Sequence, residues 1–170
     1  EKIYQDHYGE EGEQAVEKLH EMYPFLLSFR ANIDFIIDVS PSMYGPRIQA
    51  CQNTLLGIIR EEMKDGDIVS ITAFEKQIMC LLRPSFLSPK KRDAIYNSVS
   101  HLTSFVPVRG ETHFYRTLIE VGCRIVYSGM TANRCVVALT DGEDNERKTK
   151  PELVKQFYVD HKIKLIIVAV

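Results

Sequence analysis

The sequence of 170 residues lacks tryptophan, a long apolar run and an excess of charge of either sign. Its longest apolar stretch, residues 165–170, is far shorter than the roughly 20 residues that a membrane-spanning helix needs. Lysine and arginine total 21 and aspartate and glutamate total 23, which leaves a formal net charge of −2. A near-neutral chain gives no electrostatic reason to expect nucleic acid or an anionic membrane as its partner.

Cysteine is scarce and shows no metal-binding spacing. None of the four cysteines lies in a C-x-x-C pair, and each lies within an apolar segment: Cys51, Cys80, Cys123 and Cys135. A free cysteine in such a segment behaves as a small hydrophobic residue, so we predict four reduced thiols that are buried or half-buried. The chain also lacks an N-x-Ser/Thr sequon. Together these observations favour an intracellular, cytoplasmic location.

Short β-branched segments alternate with amphipathic ones along most of the chain. The pattern predicts strands at 33–38, 68–74, 77–82, 135–139 and 163–170, and helices at 48–63, 90–102, 113–127 and 151–161. Pro84 and Pro89 are interpreted as breaks after the third strand. The second and third strands are joined by two residues, which forces antiparallel pairing. We therefore predict an α/β fold, a doubly wound and mostly parallel sheet with one antiparallel edge strand.

A separate helical pattern precedes this domain. Apolar residues recur at helical spacing over residues 11–29, with Pro24 interrupting them. We therefore divide the chain into a leading segment with one helix, residues 1–30, and an α/β domain, residues 31–170.

Polar residues follow the carboxyl ends of two predicted strands, where functional residues of such a sheet gather. The first strand ends in Asp38, followed by Ser40 and Ser42, and the fourth ends before Asp141. Thr112, just before a predicted helix, is a third contributor. Carboxylates with hydroxyls form a hard-oxygen donor set that suits Mg²⁺, Mn²⁺ or Ca²⁺ rather than zinc or copper. An open position on such an ion can accept an acidic ligand from outside.

Each of these residues also has a purely structural interpretation. Ser40 and Ser42 could be N-caps of the helix near Met43, and Thr112 could cap the next helix. Asp141 and Gly142 could form only a turn. The joint placement of all these residues at neighbouring strand ends favours a shared site.

The same residues resemble the metal-ion-dependent adhesion site of the von Willebrand factor A (vWA) domain. Residues 38–42 (DVSPS) are similar to its D-x-S-x-S motif, Thr112 to its separate threonine, and residues 140–142 (TDG) to its T-D-G motif. The resemblance covers residues 32–170 and implies a Rossmann-like vWA fold of an intracellular type. It also implies that Ser40 and Ser42 touch the ion directly. Thr112, Asp38 and Asp141 would complete the site directly or through water.

The resemblance carries two further expectations. A vWA domain usually continues with a helix, a strand and a helix after the strand at 163–170, so the domain is expected to be C-terminally incomplete. Without those elements, that strand is expected to be an exposed apolar edge. Either the chain is then a fragment of a larger polypeptide, or something else covers the edge, as in a complex. The neighbouring Glu111, His113, Glu143 and Asp144 are interpreted as a solvated rim.

The function we predict is a non-catalytic module for protein–protein interaction. The bound Mg²⁺, or Mn²⁺, would coordinate a glutamate or aspartate of a protein partner. One alternative is a structural scaffold domain of an intracellular complex. A second alternative is a Mg²⁺-dependent phosphotransfer enzyme with Asp38 as nucleophile. The chain offers no second carboxylate two residues after Asp38 and no phosphate-binding glycine loop, which disfavours the enzyme.

Overall fold

The computed structural model describes residues 31–104, 111–128, 133–142, 144–146 and 148–170. The leading segment and its predicted helix lie outside the described residues, so the division of the chain into two units stays a prediction. In the part of the chain that the structure describes, no helix has the length and apolarity needed to cross a membrane.

Five strands and four α-helices alternate along the described residues. The strands are β1 (Ala31–Asp38), β2 (Ile68–Phe74), β3 (Ile78–Phe86), β4 (Asn133–Thr140) and β5 (Lys164–Ala169). The helices are α1 (Pro46–Gly57), α2 (Pro89–Ser100), α3 (Phe114–Tyr127) and α4 (Pro151–Asp160). A 3₁₀ turn (Pro41–Met43) precedes α1, a π-helical turn (Ile58–Glu62) extends it, and a 3₁₀ turn (His101–Ser104) follows α2.

The strands form one sheet in the order β3-β2-β1-β4-β5. The central strand β1 pairs parallel with both β2 and β4, and β5 pairs parallel with β4. Only β3 is antiparallel, to β2, because the two strands are joined by a tight connection. The predicted fold class is confirmed, and β1 lies with its carboxyl end between those of β2 and β4.

Helices cover both faces of this sheet. On one face, Phe35 and Ile37 of β1 pack in a cluster with Ile48 and Leu55 of α1 and with buried residues of α2. On the other face, Ile36 of β1 packs with residues of α3 and α4. Neighbouring residues of β1 thus point to opposite cores, which is why the strand carries an uninterrupted apolar run at residues 35–37. The last charged residue of this buried strand, Asp38, is carried to the sheet rim.

The third strand is longer than predicted, and the interpretation of Pro84 as a break is wrong. Pro84 lies inside β3, which pairs with β2 alone among the described strands. Proline is tolerated at an edge because its missing N–H can face away from the partner strand. The same edge position leaves Cys80 exposed, whereas Cys51 is buried and the other two cysteines are half-buried. The prediction of a buried or half-buried thiol is therefore wrong at Cys80.

The opposite edge of the sheet carries apolar residues into solvent. Within the described residues β5 pairs with β4 only, and Ile166, Ile167 and Val168 are exposed. The predicted apolar edge is thus present in the described domain, while its expected continuation remains a prediction.

Candidate metal centre at the carboxyl end of the sheet

Asp38, the last residue of β1, is fully buried and joined to two neighbouring segments. Its Oδ1 accepts the backbone N–H of Ser40 at 2.9 Å, and its Oδ2 accepts the hydroxyl of Thr140 at 2.8 Å. Burial raises the pKa of this carboxyl, the bonds from Ser40 and Thr140 oppose the rise, and the negative charge of Asp141 adds to it. A buried carboxylate near a second one is a place where a cation is electrostatically favoured.

The two serines lie side by side at the start of the 3₁₀ turn. Ser40 Oγ and Ser42 Oγ are 3.1 Å apart. Neighbouring ligands on an octahedral Mg²⁺ with bonds of about 2.1 Å stand about 3.0 Å apart, so the two hydroxyls have the spacing of adjacent ligands. Ser40 occupies the N-cap position of the turn, but its side chain makes no capping hydrogen bond. The capping interpretation of Ser40 therefore does not account for the orientation of its hydroxyl.

Asp141 follows β4 and faces the serine loop. Its Oδ2 accepts a hydrogen bond from Nη1 of Arg47 at 3.2 Å, and the same Nη1 donates to the backbone oxygen of Ser42 at 3.3 Å. Gly142 has a φ of 88° and donates its N–H to Thr140 Oγ1 at 3.1 Å. Asp141 and Gly142 thus form a turn, as the structural interpretation expects. The same turn also holds Asp141 next to the serine loop, so a turn alone is an incomplete description of these residues.

Thr112 is buried, and its backbone N–H and carbonyl are both hydrogen-bonded to Asn145. Its N–H donates to Asn145 Oδ1 at 3.0 Å, and its carbonyl accepts the N–H of Asn145 at 2.8 Å. The next residue, His113, donates its N–H to the carbonyl of Glu75 at 3.0 Å. Since Glu75 follows β2 and Asn145 lies beyond β4, this segment lies across the end of the intervening β1.

The capping interpretation of Thr112 is not supported either. The first N–H of α3, that of Phe114, donates to Asp144 Oδ1 at 2.8 Å. Asp144 is thus a helix cap rather than a free rim residue. Glu111 does fit the predicted rim, because its side chain is 54% exposed and pairs with Lys76 at 2.9 Å. That contact with Lys76 lowers the pKa of Glu111. Glu143 lies outside the described residues.

The structure brings four of the five predicted residues into a chain of contacts. Asp38, Ser40 and Ser42 are linked directly, and Asp141 joins them through Arg47. Thr112 reaches the same rim through its neighbours, and within the described residues no hydrogen bond joins it to the serines. That these five residues bind a metal stays a prediction.

The donor set fits a hard divalent ion better than a soft one. Among the described residues, no three His, Cys, Asp or Glu side chains are grouped closely enough to hold a metal. A metal at this rim would therefore depend on the hydroxyls of Ser40 and Ser42 together with Asp38 and Asp141. Oxygen ligands of this kind are those of Mg²⁺, Mn²⁺ and Ca²⁺.

Sequence reasoning missed two residues that position the site. Asn145 holds the backbone of Thr112 from 33 residues away, and no local pattern marks it. Arg47 contacts Asp141 from 94 residues away. A weak signal did exist for Arg47. A cation in the first turn of a helix is repelled by the positive end of the helix dipole, so a nearby acidic side chain is expected to stabilise it.

Solved proteins with a similar fold include the following three. BatB from Bacteroides thetaiotaomicron superposes with a TM-score of 0.66 at 17% identity, over 82% of this chain and 66% of its own. A von Willebrand factor type A protein from Catenulispora acidiphila superposes with a TM-score of 0.63 at 21% sequence identity, over 81% of this chain and 32% of its own. Manganese-loaded TRAP protein from Plasmodium vivax superposes with a TM-score of 0.64 at 18% sequence identity, over 83% of this chain and 57% of its own.

The chain therefore has the vWA fold, and it spans about two thirds or less of each of these three proteins. Its sequence matches no family model and no curated protein.

Proposed function

We propose that this domain is a divalent-metal-dependent module for protein–protein interaction. The observation that carries the proposal is the linked set of Asp38, Ser40, Ser42 and Asp141 at the carboxyl end of the central strands. The likeness to a vWA structure described as manganese-loaded supports it.

In the proposed site each residue has a distinct part. Ser40 and Ser42 present two hydroxyl oxygens at adjacent-ligand spacing, while Thr112, Asp38 and Asp141 complete the site directly or through water. A bound Mg²⁺ or Mn²⁺ supplies a positive charge that is only partly cancelled. A glutamate or aspartate of a partner is then attracted to the remaining open position. The proposal places the module inside the cell, as part of a larger polypeptide or complex.

We propose a binding role rather than catalysis because of the surroundings of Asp38. A nucleophilic carboxylate must reach its substrate, but Asp38 is 0% exposed and both of its oxygens accept hydrogen bonds. These contacts favour a structural anchor for the loop over the nucleophile of a phosphotransfer reaction.

A scaffold role within a complex is the second candidate. The observation that favours it is the apolar edge at β5, where Ile166, Ile167 and Val168 are exposed. An edge strand of this kind is a surface on which another strand can pair. A charged substitution at Ile167 would then disrupt assembly, whereas neutralising Asp141 would leave assembly unchanged.

Metal binding tests the leading proposal. We expect Mn²⁺ at about 100 times its dissociation constant to stabilise the protein by about 2.7 kcal/mol, measured by thermal unfolding against an EDTA sample. In a domain of this size that corresponds to roughly 5–11 °C. Asp141→Asn and Ser42→Ala should lose most of this shift. Ser98→Ala, which removes an exposed hydroxyl on α2, is the matched control and should keep it.

Binding of an acidic peptide array in Mn²⁺ and in EDTA tests the partner. Binding that is lost in EDTA and in Asp141→Asn supports the proposal. An equal Mn²⁺ shift in Asp141→Asn and the wild-type protein contradicts it, as does peptide binding that persists in EDTA.

A further inference from the structure

We propose that Arg47 is a tethered competitor of the divalent ion, and this proposal rests on the proposed metal site. The guanidinium of Arg47 lies against a carboxylate oxygen of Asp141 that a cation at this rim would use. On this proposal, the ion binds with lower affinity because Arg47 must first leave Asp141.

The contacts of Arg47 place its charge between the two segments that carry Ser42 and Asp141. Its Nη1 lies 3.2 Å from Asp141 Oδ2 and 3.3 Å from the backbone oxygen of Ser42. One nitrogen therefore joins the two motifs that supply the predicted ligands. The Asp141 side chain is only 8% exposed, so its carboxylate has little surface left for a second cation.

The same contacts make Arg47 removable. Its side chain is 50% exposed, and a long exposed side chain finds water readily when it is displaced. Arg47 also lies in the first turn of α1, where the helix dipole is positive and gives a cation no stabilisation. Its position depends on the acid across the rim, and a divalent ion is the stronger cation for that acid.

Two positive charges at one carboxylate repel each other, which is the physical basis of the competition. In the opposite case the guanidinium stays in place and adds its charge to the attraction of an incoming carboxylate. The two cases predict changes of opposite sign when Arg47 is neutralised. Competition predicts tighter metal binding, whereas co-operation predicts unchanged or weaker metal binding.

The experiment compares Mn²⁺ affinity of the wild-type protein, Arg47→Gln and Arg60→Gln by electron paramagnetic resonance of free Mn²⁺. We expect Arg47→Gln to bind Mn²⁺ about two- to fivefold more tightly, the range typical for removing an exposed ion pair. Arg60→Gln is the matched control, since Arg60 lies in the π-helical continuation of α1, about 20 Å further along the axis. It removes the same charge and should leave the affinity unchanged.

A second readout needs no metal. In EDTA, urea unfolding of Arg47→Gln, Asp141→Asn and the double variant forms a double-mutant cycle. We expect the unfolding equilibrium constants to deviate from multiplicativity by about two- to fivefold, because the ion pair is lost only once. If the effects of the two substitutions on the unfolding equilibrium constant simply multiply, Arg47 and Asp141 do not interact in the folded protein, and the proposal is wrong.

The outcomes separate this proposal from the metal site itself. Wild-type binding of Mn²⁺ with equal or weaker binding by Arg47→Gln overturns the competition and leaves the metal site standing. Absence of Mn²⁺ binding in both proteins, with coupling in EDTA intact, overturns the metal site and the competition with it. Equal tightening in Arg60→Gln also overturns the proposal, because the effect would then be one of net charge.

Discussion

Thr140→Val removes a single hydroxyl from the centre of the candidate site without opening a cavity. Thr140 is fully buried, and its Oγ1 donates to Asp38 Oδ2 at 2.8 Å and accepts the N–H of Gly142 at 3.1 Å. A hydrogen bond to a charged group contributes about 1.5–3 kcal/mol and a neutral one about 0.5–1.5 kcal/mol. We therefore expect Thr140→Val to lower the free energy of unfolding by about 2–4 kcal/mol in EDTA at pH 7, which corresponds to a fall in Tm of roughly 5–15 °C.

The pH dependence of this loss follows from the ionisation of Asp38. Burial raises the pKa of Asp38 in the folded protein above its ordinary value. Folding therefore favours the protonated form of Asp38. This contribution to stability is fully present below the pKa of Asp38 in the unfolded chain and is lost as the pH rises through its pKa in the folded protein. The hydroxyl of Thr140 lowers that pKa, so Thr140→Val raises it further. The destabilisation should be largest near neutral pH and shrink as the pH falls towards the pKa of Asp38.

Thr117→Val is the matched control for this prediction. Thr117 is also fully buried, but its hydroxyl donates to the neutral carbonyl of His113 at 2.8 Å. We expect a loss of about 1 kcal/mol that is the same at pH 7 and pH 5. Urea unfolding of both variants at the two pH values is the assay. Equal, pH-independent losses for Thr140→Val and Thr117→Val would refute the role assigned to the bond with Asp38.

Three further predictions concern the packing around the sheet. Arg124→Met leaves the buried Asp34 without the cation that lies 2.8 Å away, and should cost about 2–3 kcal/mol in urea unfolding. Gly57→Ala should raise Tm because the added methyl meets nothing within 4 Å, whereas Gly122→Ala should lower it because its Cβ would lie 2.7 Å from a phenylalanine ring of α4. Burial raises the pKa of Cys51 to about 11, so iodoacetamide at pH 8 should modify it more slowly than the exposed cysteine of β3, as read by mass spectrometry.

The elements that the sequence predicts well are those whose pattern is local. β2 was predicted at its observed bounds, Ile68–Phe74, because an apolar β-branched run lies there between a turn and a tight connection. The antiparallel edge was predictable for the same reason, since a connection of two residues permits nothing else. β3 was predicted too short because the effect of Pro84 depends on whether the strand lies at an edge. That position is a property of the whole sheet.

In the candidate site, too, contacts within one short segment could be predicted from the sequence, and contacts between distant segments could not. Asp38, Ser40 and Ser42 are two residues apart, and their contacts could be anticipated because a short chain segment restricts where its side chains lie. The motif containing Asp141 was recognisable for the same reason. What Asp141 contacts was not predictable from its own segment.

By itself, the sequence determined the alternation of strands and helices, the sheet class and the oxygen-bearing residues at the strand ends, since all of these depend on neighbours along the chain. Tertiary structure alone decided that Arg47 meets Asp141 across 94 residues and that Asn145 holds Thr112 across 33. Such contacts follow from the pairing of β4 beside β1, which brings distant loops to one rim. The physical reason is that strand order is set by burial over the entire sheet, which no short segment encodes.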